Sequence, residues 1–151
     1  MRVERLEKVT QKDARELKAV YKALEPDKRP PTFDRVLPLY HRNLEVALFV
    51  ARNEEGVIRG FANASIEKST GYGCSHWTCV HPRNRDAVAG RQLMKAKLNW
   101  LVNEAKASRV SADGFTPVGR ALLKYFGFEP IKNWEFAALN FAKFRKRLGV
   151  K

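Results

Sequence analysis

Hydrophobic and polar positions recur along this chain with two periods, and the changes of period mark out its elements. Val3 to Val9 is a short strand candidate. Thr10 then stands where a helix N-cap belongs, with Asp13 three residues on, and Ala14, Leu17, Val20, Tyr21 and Leu24 recur at helical spacing. Pro26 ends that run, and Pro30-Pro31 mark a loop. Thr32 is the expected cap of a short second helix carrying Val36, Leu37, Leu39 and Tyr40, with Pro38 kinking or breaking it. Glu45 to Ala51 is almost continuously apolar, as in a strand covered on both faces. Asn53-Glu54-Glu55-Gly56 has hairpin-turn chemistry, and Val57–Glu67 and His76–His81 complete a meander with a turn at Gly71 and Gly73.

After Pro82 the period lengthens again. Ala87 to Ala107 reads as the longest helix, with Met94, Leu98, Leu101 and Ala105 on its apolar stripe and Leu93, Trp100 and Val102 widening it. Arg109 to Phe115 is strand-like. Thr116-Pro117 opens a helix holding Leu122, Leu123 and Phe126, and Gly127 is placed to end it. Glu129 to Phe141 supplies one or two closing strands around Asn133. The predicted order is β-α-α-β-β-β-α-β-α-β, an α/β (α+β) arrangement. It forms one domain over 1–144, followed by a basic tail over 145–151.

The length of 151 residues and an apolar content of 44% suit one core without staples. No stretch approaches the ~20 apolar residues of a membrane span, and Met1 to Lys8 has no signal-peptide core. These features predict a cytoplasmic protein without a membrane partner. Cys74 and Cys79 are too few for a disulfide framework. Charge changes the picture more. The net charge is +13, and it is uneven: residues 71–151 carry 15 basic groups against 5 acidic ones. Such a half attracts anions, whether nucleic acid, an acidic protein or a phosphorylated cosubstrate; a solubilising surface is the plainer alternative.

Two local patterns then gain meaning together. Val80-His81-Pro82 ends a strand, and Arg85-Asp86-Ala87-Val88-Ala89-Gly90-Arg91 leads into the long helix. One strand later, Leu122-Leu123-Lys124-Tyr125-Phe126-Gly127-Phe128 closes a short helix. In order and separation these resemble the GCN5-related N-acetyltransferases. The resemblance implies a mixed, largely antiparallel central sheet flanked by helices, and often a homodimer. It implies acetyl-coenzyme A as cosubstrate. The pyrophosphate would be held by Arg85, Asp86, Ala87, Val88, Ala89, Gly90 and Arg91, and the thioester would lie against the backbone of Cys79 and Val80. A helix N-terminus is a natural anion site, which gives this loop its physical sense. Two positions depart from the family's pattern: Val88 stands in place of the first loop glycine, and Leu123 in place of a tyrosine acid, with Tyr125 about 200° round the helix.

Removing a proton from the attacking amine calls for a base. Glu67 and His76 are the candidates, each also readable as an ordinary strand residue. Cys74, His76, Cys79 and His81 are of metal-ligand type, but strict alternation would put 74 and 76 on one face and 79 and 81 on the other, so no metal is expected. Few acidic residues are expected near the cleft, which argues against a strongly cationic acceptor. Two functions follow. One is an acetyl-coenzyme-A-dependent N-acetyltransferase acting on a small-molecule or protein amine. The other is a catalytically lapsed relative, for example a basic phage virion or nucleic-acid-associated protein.

Overall fold

The short apolar runs pair into one seven-stranded sheet, because each has a buried face that a neighbouring run can share. The computed structural model describes residues 1–38, 43–84, 87–133, 135–138 and 141–148. Its elements are β1 (Arg2–Leu6), α1 (Gln11–Ala23), β2 (Leu44–Arg52), β3 (Ile58–Glu67), β4 (Tyr72–Val80), α2 (Ala87–Asn99), β5 (Arg109–Asp113), α3 (Pro117–Tyr125), β6 (Glu129–Lys132), β7 (Glu135–Ala138) and α4 (Ala142–Leu148). The strand order is β1-β2-β3-β4-β5-β7-β6. Every pairing is antiparallel except β4 with β5.

Local chemistry sets the element ends. Thr10 caps α1 reciprocally: its hydroxyl accepts from the Asp13 N–H at 3.1 Å, and the Asp13 carboxylate accepts from the Thr10 N–H at 3.1 Å. Thr116 accepts from the Gly119 N–H at 3.0 Å, with Pro117 in the first helical position. The β2–β3 turn needs a left-handed residue, and Gly56 supplies it at φ 80°.

The sheet separates two cores, as the apolar character of β2 implies. Leu48 and Val50 face α1 together with Leu17, Val20, Ile58, Phe61 and Cys79. Ala47, Phe49 and Ala51 face α2 with Leu93, Met94, Leu98 and Leu101. Arg52 pins the α1 layer to the sheet edge. Its guanidinium reaches Glu4 at 2.6 Å, Asp13 at 3.0 Å and Glu16 at 3.6 Å, and only 12% of its side chain is exposed. α1 covers the β1–β3 side of its face. The same face of β4, β5 and β7 carries Tyr72, Cys74, Arg109, Ser111, Asp113 and Glu135, a polar floor.

Three expectations are revised. The second helix is a single tight turn over Phe33–Val36; Leu39 and Tyr40 lie outside the described residues. The long helix stops as a regular α-helix at Asn99 and continues as one wide turn over Trp100–Glu104, closed by the Ala105 N–H on the Trp100 carbonyl at 2.7 Å. The basic segment starts inside α4, which runs through position 144. Phe144 is 2% exposed against Phe126, and Arg147 lies 4.4 Å over the Tyr125 ring. A cationic helix with one aromatic anchor docks on the core at the start of the segment expected as a basic tail.

Candidate active site

A bulge in β4 organises the middle of the sheet. Ala62 pairs with Thr78 and Ala64 with Ser75, so His76 and Trp77 together oppose the single residue Asn63. Both side chains therefore fall on the α1 face, and beyond them Cys79 returns to that face as well. The expected strict alternation is thereby corrected: Cys74, His76 and Cys79 share one face. Cys79 is nonetheless buried in the α1 core with Sγ 3.8 Å from the Lys28 carbonyl, and no group of three or more metal-ligating side chains forms among the described residues.

At the same point the sheet opens. β5 pairs with β4 only from Tyr72–Arg109 to Ser75–Ala112. Beyond Ser75, β4 keeps its partner β3 as far as Val80, while β5 runs on beside β7 to Asp113. The two parallel strands diverge, and α2 follows directly from the end of β4 (through Pro82–Asn84). Trp77 and Phe115 stack across the opening on the α1 side, with ring centroids 6.3 Å apart and planes 24° from parallel. On the same face of the sheet a cavity of about 210 Å³ is lined by Cys74, Arg109, Ser111, Asp113, Ile131 and Glu135, among others.

His76 lies at this opening. Its Nε2 is 2.7 Å from Ser65 Oγ and its Nδ1 is 3.6 Å from Cys74 Sγ. The residue as a whole is exposed, yet the protein atoms packed around its ring, with the cations Lys97 and Arg35 nearby, lower its pKa to about 4. The imidazole is thus neutral near pH 7 and a weak base. Glu67 is elsewhere: it pairs with Tyr72 at the closed end of the strands, and its carboxylate accepts from Ser69 in an exposed turn at 3.1 Å. The two candidate bases are not brought together. Burial pushes the Cys74 thiol pKa up, so it stays protonated.

Two carboxylates that the sequence reading did not single out stand on the cavity floor. Asp113 and Glu135 are directly opposed across β5 and β7. Like charges in that register repel. Burial first, and Glu135 second, raise the Asp113 pKa. The expectation of a cleft poor in acidic groups is corrected by this pair. It shows only in the β5–β7 register, because the residues are 22 apart in sequence.

Of the expected cosubstrate loop, Arg85 and Asp86 lie outside the described residues, and Ala87 opens α2. Val88 is 56% exposed within the helix and adopts no left-handed backbone, so its branched side chain is accommodated without strain. Ala89 is buried in the α2 core. A Cβ added at Gly90 would meet no atom within 4 Å. Arg91 does not stand over the helix end; its guanidinium lies 5.1 Å over the Tyr125 ring. Val80 packs against the α2 core opposite Gly60. Leu123 is 2% exposed within that core, and Tyr125 is occupied by Arg91 and Arg147 on the outside.

Sequence reading also passed over Lys97. It is fully buried, and its ammonium donates to the carbonyl of His76 at 2.8 Å and lies 3.4 Å from that of Trp77. Burial lowers its pKa to about 7, against a smaller opposing effect of the two cysteines. A signal was present: Leu93, Lys97 and Leu101 follow at four-residue steps on the apolar stripe of α2.

No family model and no curated protein sequence matches the chain. Solved structures do. The chain is similar to GCN5 of Tetrahymena, at 9% identity over 91% of this chain and 95% of that one, with a TM-score of 0.61. It is similar to ElaA of Escherichia coli, at 15% identity over 91% and 97%, with a TM-score of 0.68. It is also similar to the ribosomal-protein-S18-alanine N-acetyltransferase of Escherichia coli, at 13% identity over 90% and 88%, with a TM-score of 0.65. At these identities the likeness concerns the fold. Diverging β4 and β5, the intervening bulge and the helix that follows β4 give this chain the fold of the GCN5-related N-acetyltransferases.

Proposed function

We propose that the protein transfers an acyl group, acetyl in the first instance, from a coenzyme A thioester to an amine. The observation that carries this reading is the parting of β4 from β5 at the bulge. It leaves the β4 edge from His76 to Val80 without a strand partner on that side among the described residues, beside the start of a helix. The residues fit an extended amide-bearing arm there. Thr78 Oγ1 is buried without a hydrogen-bond partner in the described structure, and a bound arm would supply one. The first turn of α2 and the open space at Gly90 suit the phosphates. Acetyl-coenzyme A would bring the thioester whose carbonyl carbon is attacked.

The chain's own part is to position and to handle charge. Asp113 and Glu135 would hold the acceptor as an ammonium in the cavity, and the Trp77–Phe115 stack on the same face would meet its apolar part. Asp113, its pKa raised by burial and then by Glu135, would take the proton that frees the amine. The new C–N bond forms as the C–S bond breaks. With Leu123 at the position of the family's acid, the leaving thiolate takes its proton from water. The amine-directed activities named for solved neighbours, on spermidine in Vibrio cholerae and on a ribosomal-protein alanine in Escherichia coli, are consistent with an amine acceptor.

The test is thiol release from acetyl-coenzyme A with a polyamine, a lysine peptide and a peptide with a free N-terminus. Turnover with at least one amine, lost in Asp113→Asn, supports the reading. No release with any of them, from protein that binds the thioester, points to the lapsed alternative.

A further inference from the structure

Lys97 has no part in the chemistry set out above, yet its burial is costly. An ammonium leaves water at great expense unless polar groups replace its hydration. Here the replacements are two successive main-chain carbonyls, His76 at 2.8 Å and Trp77 at 3.4 Å, on the two residues that make the bulge. The Lys97 side chain reaches them from α2, between Met94 and Leu101 on the core side of the sheet. The acyl arm and the acceptor would meet at this bulge. Asn63 faces it from β3 and donates to the Val36 carbonyl at 2.6 Å, so the α1 side is tied down independently.

We propose that Lys97 is a positioning residue for acyl transfer: by clamping the His76 and Trp77 carbonyls to α2 it holds the β4 bulge, and so sets where the peptide groups at the mouth of the diverging strands meet the thioester arm. The clamp acts on the backbone, and nothing requires Lys97 to touch substrate. It also fixes His76 and Trp77 on the acceptor face, since both side-chain directions follow from the bulge. A methionine at 97 would fill the same space and lack the donors. β4 would then relax toward regular alternation, which sends one of the two side chains to the opposite face.

This proposal rests on the acyl-transfer reading, and the test separates the two. Full-length wild type and Lys97→Met are compared by thermal unfolding, by backbone amide spectra, and by titration with acetyl-coenzyme A and with adenosine 3′,5′-bisphosphate. The second ligand carries phosphates without the acyl arm. The expected result is a folded variant whose amide signals move at His76 to Cys79. Its affinity for acetyl-coenzyme A drops about tenfold or more, while its affinity for the bisphosphate stays at the wild-type level. Equal losses for both ligands, or unchanged binding of acetyl-coenzyme A, would overturn the positioning role. If wild type binds neither ligand, the acyl-transfer reading has failed, and the amide signals then judge the clamp alone: still signals at 76–79 overturn it. Should Lys97→Met not fold, Lys97→Gln, which retains a donor at shorter reach, is expected to fold and to give a smaller loss with the same selectivity for the acyl arm. A Lys97→Gln loss shared by both ligands would refute the proposal.

Discussion

Replacing Gly90 by alanine should strengthen the fold and weaken the ligand site, an opposition that few substitutions offer. Gly90 is the fourth residue of α2 and adopts no left-handed backbone, so a side chain there carries no conformational strain. An added Cβ meets nothing within 4 Å. Glycine inside a helix costs roughly 0.5–1 kcal/mol relative to alanine, through the entropy of the unfolded chain. Gly90→Ala should therefore raise the melting temperature by about 1–4 °C, the scale for a chain of this size. The same open space is what a phosphate approaching the helix end would use. A methyl group in it should weaken acetyl-coenzyme A binding by about tenfold, or roughly 1.4 kcal/mol. Scanning calorimetry and ligand titration on one preparation read both effects. A lower melting temperature would show that the glycine serves the backbone. Unchanged affinity would show that the phosphates do not sit at this turn.

Other outcomes follow from buried charge and from the cavity. Arg52→Met should destabilise by about 3–5 kcal/mol, because Glu4, Asp13 and Glu16 lose a common partner; urea unfolding measures it. Burial alone would raise the Asp13 pKa, but Arg52 and the Thr10 cap lower it below 3.8. Asp13 therefore contributes stability above that value and loses it as pH falls through the folded pKa, and the variant should show a shallower acid loss. Lys97 has the opposite sign. Its folded pKa of about 7 lies below the ordinary 10.5, so the unfolded chain binds more protons between these values and stability rises with pH. The gain between about pH 7 and pH 9 should be on the order of 2–3 kcal/mol and absent from Lys97→Met, as read by denaturant midpoints. Phe115→Ala, at a side chain 55% exposed, should change stability by less than about 1 kcal/mol. It should raise KM for the amine while leaving acetyl-coenzyme A affinity intact.

The fold was legible where local chemistry and periodicity agreed. Thr10 with Asp13, Thr116 with Pro117, and the turn at Gly56 each announced an element end, and the apolar run at 45–51 announced a strand buried on both faces. The α2 boundary was not legible, since Leu101 and Val102 stay apolar through the wide turn. The site was harder to read. A bulge leaves no mark in a pattern assumed to alternate, so the shared face of Cys74, His76 and Cys79 was hidden until β4 was paired with β3. The Asp113–Glu135 pair depends on a register between distant strands. Glu67 looked suitable as a strand-end carboxylate, but the strands part at their other end. Lys97 was counted with the basic charge of the second half, although its spacing from Leu93 and Leu101 placed it inside.

The central claim is that the opening between β4 and β5 seats a coenzyme A thioester. Calorimetric titration of the purified protein with acetyl-coenzyme A, at low and at physiological salt, tests it most directly. The account predicts saturable one-to-one binding that persists at the higher salt, because the arm is held by strand edges as well as by charge. Binding that vanishes with modest salt would mean that a chain of net charge +13 merely attracts an anion, and no binding at either salt would contradict the account outright.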